Sequence, residues 1–198
     1  MTTPASIISV ARSIINDVDP TLYRQADSEL LGYFNDGMQE ISVLVPSVFS
    51  SIGDLTCTVG SVEQTVTFNS AQAIIDILCI HGSTAITPFD WDIMNRFNPG
   101  WRTDTAGPAK QWVRKQGDPL RFFIYPQSPS TAQVIDVMYV RNPIVLALTD
   151  TITEIPAGYY PALVDYIVYR AESKDDESVV SQRSAGHYQT FVAKVKGA

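Results

Sequence analysis

Helical periodicity at both ends of the chain, with strand periodicity between them, constrains this sequence more than any single motif does. After Ile155-Pro156, the residues Tyr159, Tyr160, Leu163, Val164, Ile167, Val168 and Ala171 trace one helical face. Val180, Ser184, Tyr188, Phe191, Val192 and Val195 trace another, and Lys174-Asp175-Asp176-Glu177 breaks the pattern between them. Pro161 falls in the first turn of the first of these helices, where proline is tolerated. Near the N-terminus, Pro4 stands at the first helical position behind Thr2 and Thr3. Ile7, Ile8, Ala11, Ile14, Ile15 and Val18 then recur at helical spacing until Asp19-Pro20 ends the run. Asp27 or Ser28 caps a further helix with the stripe Leu30, Leu31, Phe34, Met38, Ile41 and Val45, ending before Pro46. Gly37 inside it costs up to about 1 kcal/mol relative to alanine, which points to a neighbouring backbone packed close against it.

From residue 51 the period shifts towards 2. Residues 55–59 and 64–68 alternate around Gly60-Ser61 and are expected to pair as a hairpin. Residues 73–80 form an apolar run whose Ile74, Ile75, Ile77 and Ile80 favour a strand over a short helix. Trp91, Met94 and Phe97, spaced by three, predict a short helix lying on the sheet and closed by Asn98-Pro99-Gly100. Further strands are expected over 111–116, 122–125 and 134–140, separated by Gly117-Asp118-Pro119 and Gln127-Ser128-Pro129-Ser130. The expected fold class is α+β. N- and C-terminal helix pairs (1–50 and 144–198) form a four-helix bundle, and residues 51–143 insert as a small antiparallel β-module.

A length of 198 residues with 45% hydrophobic and 18% charged content is ample for a core without metal or disulfide staples. The formal net charge of −7 denies the chain any bulk attraction to phosphate. The first sixteen residues lack the basic start of an export signal, and no run of eighteen apolar residues exists, so a soluble, unexported protein is expected. Cys57 and Cys79 are the only cysteines and read as buried free thiols rather than a disulfide; with two scattered histidines they do not make a zinc site. No metal or cofactor is expected.

Catalytic patterns are sparse. The sequence has no G-x-S-x-G, P-loop, G-x-G-x-x-G or H-E-x-x-H. His81 and His187 read as structural, without a paired nucleophile. Asp90 and Asp92 flank Trp91 and offer a carboxylate pair for metal or glycoside chemistry, though helix capping accounts for them better. Lys110, Arg114, Lys115 and Arg121, interleaved with Trp112 and Phe122, form the densest basic cluster. A DNA grip there competes with a solvated sheet face or a protein interface, which the acidic balance favours. Tyr166 and Tyr169 fall partly off the apolar stripe and are candidate anchors for a neighbouring subunit.

Leu30-Leu31-Gly32-Tyr33-Phe34-Asn35-Asp36-Gly37, Asn98-Pro99-Gly100-Trp101 and Tyr139-Val140-Arg141-Asn142-Pro143 are three stretches of one wider pattern. It continues through Tyr160-Pro161-Ala162-Leu163-Val164-Asp165-Tyr166 to Tyr169-Arg170-Ala171 and His187-Tyr188-Gln189. In order and spacing these resemble the short head-to-tail adaptor (connector) proteins of tailed bacteriophages, particularly podovirus-like forms; the β-module departs from them in length and detail. The resemblance implies a non-enzymatic virion protein at the neck, assembled in the host cytoplasm as a ring of twelve copies beneath the portal protein. It would meet a tail nozzle or tail tube protein and continue a channel through which DNA passes without sequence-specific binding. On that reading Tyr188, Phe191, Lys194 and Lys196 face the portal, and Glu172, Asp175, Asp176 and Glu177 line the channel. Phe89, Trp91, Trp101 and Trp112 serve the tail side. Another tail-completion or nozzle-proximal structural protein is the nearest alternative; a DNA-binding module or a hydrolase built on Asp90 and Asp92 are more distant ones.

Overall fold

The computed structural model describes residues 2–174 and 181–197. They form a mixed α+β structure with five α-helices and two β-sheets. The chain divides into two compact units, Met1–Phe49 with Pro143–Ala198, and Ser50–Asn142.

In the helical unit, α1 (Pro4–Ile14), α2 (Asp27–Leu44), α4 (Tyr160–Lys174) and α5 (Ser181–Gly197) pack on one another. Helix α1 opens with a capping box in which Thr3 accepts from the Ser6 amide and the Ser6 hydroxyl receives the Thr3 amide. It ends well short of Asp19-Pro20, because Asn16 turns into the left-handed region at φ 57°. Val18, beyond this turn, leaves the expected core stripe at 59% exposure, and Ile14, on the last turn of the helix, is itself 40% exposed. Helix α2 starts behind Ala26 with no side-chain cap; Asp27 instead receives the Arg12 guanidinium at 2.7 Å. Residues 162–168 of α4 are buried in unbroken succession, so this helix has no solvent face along two turns and needs neighbours all round. Helices α1, α2 and α5 supply them. What packs against Gly37 is side chain rather than backbone: a Cβ there would stand 3.0 Å from both Leu163 Cδ2 and Tyr166 Cδ1.

In the strand unit, the first sheet runs β1 (Ser50–Thr56), β7 (Val134–Arg141), β3 (Ala71–Ile80), with the late strand β7 antiparallel to both neighbours. The second runs β2 (Glu63–Thr65), β6 (Arg121–Tyr125), β5 (Gln111–Arg114), β4 (Thr87–Pro88). Leu55, Val66, Ile74, Ile77, Trp112, Phe122, Ile124, Ile135 and Val137 share one core. The hairpin expected between residues 55–59 and 64–68 does not form, because β1 and β2 belong to different sheets. The buried Gln64 amide bonds the Thr58 backbone on both its groups and the Ser61 carbonyl, fixing a tight loop in place of the hairpin turn. Nor is the unit purely antiparallel, since β4 pairs β5 in parallel. Helix α3 (Trp91–Phe97) lies on the second sheet, its Trp91 ring 5.0 Å from that of Phe123.

Replacing Gly37 with leucine should lower stability by about 1–3 kcal/mol through overpacking against α4. The urea unfolding midpoint measures it.

Candidate assembly surfaces and a carboxylate–histidine cluster

Asp165 sits inside the helical unit at 7% exposure. Its Oδ1 lies 3.0 Å from His187 Nδ1, and its Oδ2 accepts from Lys194. A carboxylate taken out of water this far needs such partners, and both come from α5. Beside it the rings of Tyr166, Tyr169, Tyr188 and Phe191 form a chain, with centroid separations of 5.9 Å for Tyr166–Tyr169 and 5.0 Å for Tyr166–Phe191 and Tyr169–Tyr188. Phe191 has no exposed surface, and the Tyr188 hydroxyl donates to Glu40 at 2.9 Å. That hydrogen bond also raises the Tyr188 phenol above its ordinary pKa. Tyr166, Tyr188 and Phe191 are therefore engaged in holding α4, α5 and α2 together. Of the four residues assigned to portal contact, Lys194 and Lys196 reach the surface. Glu172 is buried against Arg183 at 3.0 Å. Asp175, Asp176 and Glu177 lie outside the described residues.

Arg12, a buried residue the periodicity hid inside the α1 stripe, organises residues 16–26. It bonds Asp17, the Gln25 carbonyl at 2.8 Å and Asp27, and its guanidinium stacks 3.6 Å from the Tyr23 ring centre. Gln25 in turn donates to the Ala171 carbonyl at 2.8 Å, linking this loop to α4. Four apolar side chains of this region stay in solvent: Val10 and Ile14 on α1, and Val18 and Leu22 beyond its end, exposed by 52%, 40%, 59% and 77%.

In the strand unit, Trp101 is 1% exposed and packs edge-on against Phe89, Trp91, Phe123 and Tyr125. Trp112 is core, edge-on to Phe122. Of the four aromatics assigned to the tail side, Phe89 and Trp91 remain partly exposed. Trp91 and Phe123, with Arg102, Lys115 and Gln116, line a half-open cavity of about 270 Å³; the Arg102 guanidinium stands 5.0 Å from the Trp91 ring centre. The basic cluster is largely engaged at home. Lys115 and Arg121 reach Glu63 at 2.7 and 3.3 Å, holding that carboxyl below its ordinary pKa, and Arg114 donates to the Ile74 carbonyl. Asp90 caps α3, accepting from the amides of Asp92 and Ile93.

The first sheet gathers groups that sequence spacing keeps far apart. Asp54 on β1 and Cys79 on β3 both stand opposite Asp136 on β7. His81, just past β3, places Nδ1 2.7 Å from Asp136 Oδ1 and 3.5 Å from Asp54 Oδ1, while the Cys79 thiol donates to Asp136 Oδ2 at 3.2 Å. The hydrogen bond to Asp136, aided by the charge on Asp54, raises the His81 pKa above 6.5; the same bond holds Asp136 below its ordinary value. Both thiols are raised above the ordinary value: the hydrogen bond to Asp136 raises Cys79, and burial pushes Cys57 up to about 11.

A raised His81 favours folding below pH 6.5 and loses that contribution as pH climbs through its native midpoint. A lowered Asp136 contributes above 3.8 and loses it as pH falls through its own midpoint, so the pair acts in the window between. By NMR, His81 should titrate above 6.5, and Asp136→Asn should bring it down. Separately, Phe191→Ala should cost about 3–5 kcal/mol in chemical denaturation, because it empties the centre of the tyrosine cluster.

A family model for the SU10 adaptor protein matches residues 2–197, and the chain belongs to that family. It is thus a bacteriophage structural adaptor protein, a virion component of the head–tail junction. A comparison with curated proteins found no match. Among the described residues no helix is long and apolar enough to cross a membrane.

Proposed function

We propose that this adaptor works by assembly rather than catalysis: twelve copies close into a ring on the portal protein of a podovirus-like particle and offer their other surface to a tail nozzle or tail tube protein. The four long helices act as a bundle that builds the ring and the channel wall. Head-to-tail contacts between identical chains close into a ring when the rotation per copy divides a full turn, and each contact joins two different patches of the same subunit. The exposed apolar side chains of Val10, Ile14, Val18 and Leu22 carry this reading, because large apolar groups left in water beside a well-packed helical core are what a neighbouring copy would cover. On α3 in the strand unit, Ile93 and Phe97, exposed by 58% and 80%, are the complementary candidate for the tail side, next to the cavity floored by Trp91 and Phe123.

Portal contact falls to the surface of α5 that carries Lys194 and Lys196, with Tyr188 and Phe191 holding that helix in place. With a net charge of −7 per chain, duplex in the channel gains little counterion release on contact and slides through. The chain is made and assembled in the host cytoplasm.

Mixing the full-length protein with portal rings and imaging the product tests the proposal. The parent should add as a complete ring of twelve. Val10→Asp combined with Ile14→Asp should leave the thermal midpoint unchanged and the portal incompletely occupied. Complete rings from the double variant would remove the α1 surface from the contact, and absence of the subunit from the neck of native particles would end the proposal.

A further inference from the structure

The geometry points to a divalent transition-metal site of the zinc class formed by Asp54, His81 and Asp136 on the first sheet of the strand unit. One donor atom from each of the three lies within 4.8 Å of the others. Two of the separations are 2.7 and 3.5 Å. Ligands bonded to zinc at about 2.0–2.2 Å in a tetrahedral shell stand roughly 3.3–3.6 Å apart, so the cluster needs only small side-chain shifts to close on an ion.

Backbone, not chance surface proximity, brings the donors together. Asp54 and Asp136 are direct cross-strand partners, a like-charge placement that costs stability unless a cation stands between them. His81 is held from behind, its amide donating to the Val134 carbonyl at 2.9 Å at the start of β7. The Cys79 thiol bonds the second oxygen of Asp136 and so orients that carboxylate; it acts as a positioning residue. Half-exposed Asp54 and His81 leave the remaining coordination positions to water and an open path of entry. An imidazole with two carboxylates selects Zn²⁺, Co²⁺ or Mn²⁺ over Ca²⁺ and Mg²⁺, which take all-oxygen shells. Such an ion bridges β1 to β7 and holds the loop after β3 against both. This site stands apart from the adaptor reading and does not depend on it.

Calorimetric titration of the full-length chain with Zn²⁺, after chelator treatment and dialysis, tests the site. One ion per chain should bind, with a rise in thermal midpoint on zinc addition. His81→Ala and Asp136→Asn should each weaken binding by at least about 100-fold, Cys79→Ser by about tenfold, and His187→Ala not at all. Circular dichroism in chelator should show all variants folded. No saturable binding would overturn the assignment. So would zinc uptake unchanged in a variant combining Asp54→Asn with His81→Ala, or thermal shifts with Ca²⁺ or Mg²⁺ equal to those with Zn²⁺.

Discussion

The helical unit depends on the burial of α4 around its whole circumference. A helix buried along residues 162–168 has no independent existence in water, since isolated helices of this length are marginal and most helical stability comes from packing. It therefore dictates that α1, α2 and α5 close around it. Asp165 sharpens the requirement, because a carboxylate in that setting is tolerable only with α5 in register to bring His187 and Lys194. Gly37 does the same from the other side by giving up its side-chain volume to Leu163 and Tyr166.

That packing redistributes surface and core in a way that matters for assembly. Tyr166 and Phe191 are buried inside the unit, and Tyr169 and Tyr188, partly exposed, pack their rings against them between α4 and α5. Conversely, Ile14 on the last turn of α1 and Val18, beyond the turn at Asn16, are exposed although both extend the apolar period of the helix. Two residues that periodicity alone places in the core thus join the exposed surface of the unit.

The strand unit carries a parallel lesson. Residues 55–59 and 64–68 were expected to pair with each other because both alternate and a Gly-Ser dipeptide lies between them. Alternation reports which side chains face a core, and Leu55 and Val66 do face the same one. It says nothing about which strand supplies the hydrogen bonds, and β1 finds its partner some eighty residues later in β7. The Asp54, His81 and Asp136 cluster escaped notice for the same reason. Its members share no local motif, and cross-strand register alone unites them.

Local physics was legible in the sequence itself: the Thr3 and Pro4 helix start, the Asp90 cap, the helical stripes of α2 and α4, and the β-branched run that becomes β3. Each is decided within a few residues by backbone sterics, capping or hydrophobic period, so no distant partner is needed to read it. Tertiary structure decided strand order, the internal use of the tyrosines, the Arg12 knot and the carboxylate–histidine cluster. These depend on which surfaces meet after the chain has closed. A single sequence encodes such pairings only through the sum of many weak contacts between residues far apart along it.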